Sequence, residues 1–108
     1  MKISEYKTIY VSCKFGGSSE RVEFCRSWIK YFIKKDKEDG IEGRVYINPL
    51  DTFGWLYDDT EYQEGLNMTL KLMTMCDEVY VLPGWETSHG CLQEIGIANY
   101  LDIPITYI

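Results

Sequence analysis

Short apolar runs that alternate with stretches of helical periodicity constrain this chain more than any other feature of its sequence. The first run, Thr8-Ile9-Tyr10-Val11-Ser12, is apolar and β-branched nearly throughout, with no polar residue at every second position. That is the pattern of a strand buried on both faces, as parallel strands are. Val45-Tyr46-Ile47-Asn48, Glu78 to Leu82, and Pro104 to Tyr107 read as three further strands. Between the first two, Ser19 to Lys35 predicts a helix whose apolar stripe is Val22, Cys25, Trp28, Ile29 and Phe32. Asp39-Gly40 then supplies turn chemistry. A second helix, capped by Asp58 or Thr60, runs to about Met75 with Tyr62, Leu66, Leu70 and Met73 on one face. The last spans about Gly90 to Tyr100, with Leu92, Ile95 and Ala98 expected inside and Gly96 expected to let it approach the sheet. Strand–helix alternation of this kind predicts an α/β fold with a parallel sheet covered on both faces. The architecture expected is a three-layer α/β/α domain around a four-stranded sheet ordered 2-1-3-4, with the first strand between the second and third. Right-handed crossovers put the first helix on one face and the other two on the opposite face.

Composition narrows the class of partner. A chain of 108 residues, 45% apolar with nine tyrosines, fits one packed domain over residues 1–108. Its net charge of −6 disfavours a nucleic acid polymer as partner. No run of apolar residues is long enough to span a bilayer, so no membrane association is expected. Cys13, Cys25, Cys76 and Cys91 are widely spaced and read as reduced thiols of a soluble, cytoplasmic protein. His89 and Cys91 alone lie close as soft-metal ligands. Two ligands do not make a zinc site, so neither metal nor cofactor is expected.

In a parallel α/β sheet, ligands bind beyond the carboxyl ends of the strands. Three loops belong to that edge: Cys13–Ser19, the aromatic Pro49–Asp58, and Pro83–Gly90. The third is the most informative. It leads from Leu82 through Pro83-Gly84-Trp85-Glu86-Thr87 into Ser88-His89-Gly90, and places Glu94 about one helical turn past Gly90. Free N–H groups at a helix start, with the dipole behind them, hold an anion such as phosphate. A capping serine and a solvated glutamate would look similar in sequence. Gly16-Gly17-Ser18-Ser19 either lines a phosphate with backbone N–H groups or forms a plain turn and helix cap. Phe53, Trp55, Tyr57 and Trp85 read as core or subunit contacts, with stacking on a base as the alternative. His89 reads as an exposed first-turn residue, and Cys13 as packing.

Taken together, Lys7 to Ser12, the Gly16-Gly17 loop, Asn48-Pro49, Cys76-Asp77 and Ser88-x-Gly90-x-x-x-Glu94-x-Gly96 resemble the nucleoside 2-deoxyribosyltransferase family. That family includes the 2′-deoxynucleoside 5′-monophosphate N-glycosidases and many small bacterial and phage relatives. The similarity runs in order along nearly the whole chain, and the serine–glycine–glutamate spacing is its most specific part. It implies a flavodoxin-like arrangement in which Glu94 attacks C1′ of a deoxyribose, with Tyr10 close to that nucleophile. Ser88, Gly90, Gly16, Gly17 and Ser18 would then meet the sugar's 5′ end or its phosphate, with Asn48 and Trp85 completing the substrate site. A carboxylate suits this chemistry, because it stabilises an oxocarbenium-like transition state and forms a glycosyl ester.

The chain departs from the family pattern at Thr69, where relatives carry an aspartate that aids proton transfer to the base. It also has Cys13 where many have glycine, and lacks the C-terminal extension of some members. Glu64 and Glu86 are the alternative acids. The resulting expectation is a nucleoside or nucleotide N-glycosyl-bond hydrolase or transferase, with a non-catalytic nucleotide-binding protein of the same fold as the alternative. Apolar area in the aromatic loop adds the expectation of a homodimer or larger assembly.

Overall fold

The computed structural model describes residues 1–15, 19–53 and 62–108. The chain folds as β1 (Lys7–Ser12), α1 (Ser19–Glu38), β2 (Arg44–Ile47), α2 (Pro49–Phe53), α3 (Tyr62–Thr74), β3 (Glu78–Val81), α4 (His89–Tyr100) and β4 (Ile105–Tyr107). Short 3-10 turns cover Ile3–Glu5 and Trp85–Thr87. The four strands form one all-parallel sheet, as the alternation of apolar runs predicts, in the expected order β2-β1-β3-β4. Tyr10 pairs with Ile47 on one side and Val79 on the other, which makes β1 central.

Side chains leave β1 alternately to the two faces, and each face has its own core. Val11 and Cys13 pack with Leu82 against Cys25 and Phe32 of α1. Tyr10 packs with Val79 and Val81 against Leu66, Leu70 and Met73 of α3 and Ala98 of α4. The result is the three-layer, flavodoxin-like arrangement. The stripe expected on α1 is the one that packs, and the helix continues three residues beyond Lys35 to Glu38.

The Cys76-Asp77 pair has a structural use. The Asp77 carboxylate accepts from the backbone N–H of Thr8 at 2.8 Å, and the Asp77 N–H donates to the Thr8 carbonyl at 2.8 Å. This double link fixes the entry of β3 against the start of β1.

Three local expectations are corrected. Residues 49–53 form helix α2 and not loop, because the Asn48 side chain caps them: its Oδ1 accepts from the N–H of Leu50 at 3.0 Å and of Asp51 at 3.4 Å. Pro49 then occupies the first helical position, where its missing N–H costs nothing. In α4, Leu92 is 47% exposed, and the buried face is Cys91, Glu94 and Ala98. A Cβ placed on Gly96 would meet nothing within 4 Å, so that glycine mediates no close approach. The aromatics Trp55 and Tyr57 and the caps Asp58 and Thr60 lie outside the described residues, as do Gly16, Gly17 and Ser18.

Candidate functional site

Beyond the carboxyl ends of β1 and β3 lies a cavity of about 200 Å³. Among the described residues its walls come from five parts of the chain: Tyr10 of β1, Cys13 to Phe15 after it, Pro49 and Leu50 of α2, Tyr62, Leu66 and Thr69 of α3, and Thr87 to Gly90 with Glu94. One side of this lining is apolar, with Phe15, Pro49, Leu50 and Leu66; Lys14, Thr87, Ser88 and His89 are polar.

The start of α4 builds the polar side. Pro83-Gly84 turns the chain out of β3, and Gly84 sits at φ 99°, a conformation that a side chain would strain. Ser88 is the N-cap, and its Oγ accepts from the backbone N–H of Cys91 at 3.2 Å. Gly90 faces Tyr62 so closely that a Cβ there would stand 3.3 Å from the tyrosine oxygen. Across the opening, Lys14 donates to the Thr87 hydroxyl at 3.0 Å.

Glu94 stands one turn deeper, 5% exposed, on the buried face of α4. The Ser12 hydroxyl donates to its Oε1 at 3.0 Å, and the Tyr10 hydroxyl, buried on the same face of β1, also favours its charged form. Burial disfavours the charged carboxylate, and those two hydroxyls favour it. Burial wins, raising the Glu94 pKa to about 7. The same closeness shows in Tyr62, whose hydroxyl is pushed up first by burial and then by the Glu94 charge.

The structure thus brings Tyr10, Ser88, Gly90 and Glu94 to one cavity, as expected from sequence, and adds Lys14, Tyr62 and Thr69. Thr69 is buried in the wall, and its hydroxyl donates to the Leu66 carbonyl at 2.8 Å, one turn back along α3. His89 is exposed, and its Nε2 lies 2.7 Å from the Gln93 amide nitrogen. Glu64 and Glu86 are exposed and do not line the cavity.

Two sequence candidates are placed elsewhere. Asn48 is buried in the α2 cap, and its amide donates to Asp51 at 2.8 Å, so its neighbours Pro49 and Leu50 reach the cavity instead. Trp85 packs against Tyr107, with ring centroids 5.3 Å apart, and against the core between the sheet and α3–α4. Ser12 was missed by the motif reading. Its signal was a polar residue two positions from Tyr10 in an otherwise apolar buried strand, hence on the same face.

Among the described residues, no group of three or more His, Cys, Asp and Glu is placed to hold a metal ion, and no helix is long and apolar enough to cross a membrane.

Fold and site together define a small parallel α/β domain with a buried acid behind a helix N-terminus, at the edge where the strands of the sheet end. A family model described as a domain of unknown function (DUF4406) matches residues 7–107, from the first residue of β1 to the last of β4, and the chain belongs to that family. No curated protein matches it.

Proposed function

We propose that the protein acts on the N-glycosyl bond of a nucleoside or nucleotide, with Glu94 as nucleophile. The observation that carries this reading is a nearly buried carboxylate lining the same cavity as the capped start of a helix. The helix N-terminus suits a phosphate, with Lys14 as a nearby cation. The cavity, about 200 Å³, is smaller than the ~300–1,000 Å³ of sites that enclose whole drug-sized ligands and suits a sugar-sized group beside Glu94.

In this reading a Glu94 carboxylate oxygen bonds to C1′ as the C1′–N bond breaks. The base leaves with the electron pair and takes up a proton. Water then opens the glycosyl ester and regenerates the carboxylate, or a second base does so and the reaction is a transfer. With a pKa of about 7, Glu94 supplies the ionised form to roughly half the molecules at neutral pH. The proton for the leaving base is the weak point, because the Thr69 hydroxyl is committed to the Leu66 carbonyl. General acid help is typically worth ~10²–10⁴-fold in rate, so turnover is slow.

That same observation favours a second reading, a protein that binds the nucleotide without cleaving it. The test follows free base by chromatography from deoxynucleosides and their monophosphates. The enzyme reading expects slow release by the parent, faster release by Thr69→Asp, and none by Glu94→Gln. No release by parent or Thr69→Asp, together with nucleotides that raise the melting temperature, would leave only the binding reading.

A further inference from the structure

We propose that Ser12 is the positioning residue of this site: from behind the cavity wall its hydroxyl holds Oε1 of Glu94 and presents Oε2 as the reacting oxygen. The inference rests on the reading of Glu94 as nucleophile and adds a part that the cavity lining does not contain. Ser12 is fully buried and is absent from that lining, so it reaches only the back of the carboxylate. The 3.0 Å Oγ–Oε1 bond joins the last residue of β1 to the middle of α4, 82 positions later in sequence.

Both anchors are rigid. Ser12 pairs with Val81, and its carbonyl accepts from the Leu82 N–H at 3.0 Å. Glu94 is held by a helix whose first turn is capped by Ser88. A hydroxyl buried at the end of an inner strand is costly unless bonded. Valine, which precedes it at position 11, would fill a purely structural position. The bond to Glu94 is what the hydroxyl gains there.

Other groups set the same environment. Tyr10 approaches from β1, Cys13 and Lys14 from beyond its end, Tyr62 from α3, and His89 and Cys91 from the first turn of α4. Of these, the Tyr10 hydroxyl, like that of Ser12, favours the charged carboxylate. Loss of the Ser12 hydroxyl therefore leaves Tyr10 alone against burial.

The test is a carbon-13 NMR titration of carboxyl-labelled glutamates, with the Glu94 signal assigned by its loss in Glu94→Gln. A hydrogen bond to a charged group corresponds to about one pH unit or more. Ser12→Ala is expected to raise the Glu94 midpoint by that amount. Ser12→Cys, a weak donor of closer size, is expected to raise it less and serves if the alanine variant does not fold. In base release, the pH at half-maximal rate moves up in parallel, and kcat falls while KM changes little. An unmoved Glu94 midpoint in a folded variant would overturn the inference whatever the activity. A moved midpoint in a protein that releases no base would instead overturn the enzymatic reading and leave the hold of Ser12 on Glu94 standing.

Discussion

Position 94 carries a carboxylate where α4, read as an ordinary amphipathic helix, would carry a core residue. Its neighbours on the buried face are Cys91 and Ala98. The cost of that placement gives a pH dependence whose sign is fixed. Glu94 ionises near 4.5 in an unconstrained chain and at about 7 in the fold. Below 4.5 the acid is protonated in both states, and its contribution to stability is fully present. As pH rises from 4.5 through 7 the unfolded chain ionises first, and that contribution is lost. Above 7 the loss levels off at ~3 kcal/mol, from about 1.4 kcal/mol per pH unit. Glu94→Gln has no such slope. Melting curves from pH 5 to 8 should show the parent losing stability relative to the glutamine variant, and parallel curves would contradict the buried-acid assignment.

At the scale of elements, α4 serves two purposes at one end. Ser88 closes the helix by accepting from Cys91, and it also borders the cavity. Aspartate caps a helix about as well as serine, so Ser88→Asp separates the two uses. The melting temperature should hardly change. A nucleoside monophosphate bound at the helix start should lose roughly tenfold or more in affinity, since a second negative charge then faces the phosphate. Titration calorimetry reads the difference, and unchanged affinity would move the phosphate elsewhere. On the far side, α2 shows how one cap redirects a segment. Asn48 satisfies two N–H groups of a helix only five residues long, and in doing so brings Pro49 and Leu50 to the cavity wall.

For the whole molecule, the sheet is small and exposed apolar residues remain on several elements, among them Met68 of α3, Leu92 and Tyr100 of α4, and Tyr107 of β4. Such area is commonly covered by a second copy. We propose a homodimer or larger assembly. Light scattering at micromolar concentration is expected to return at least twice the chain's 12.6 kDa, and a monomeric mass would contradict it.

The elements and the faces of α1 and α3 were legible in the sequence because they rest on local periodicity, which a strand or helix expresses wherever it sits. The strand order found is the one expected, but it rests on pairing across the chain. The Ser88–Glu94 spacing was legible through local periodicity too, since one helix carries both residues. The rest depended on which residues meet across the chain. Leu92 and Glu94 carry opposite expectations in a helix read alone, and packing reversed them: Glu94 turns inward because Tyr10 and Ser12 of β1 offer it hydroxyls, and Leu92 is left outside. Trp85 packs on Tyr107 of the edge strand β4 for a similar reason, a partner 22 residues away that no local pattern announces. Sequence determined the elements through short-range periodicity, and only the tertiary structure decided which polar groups would be buried together and so where the acid stands.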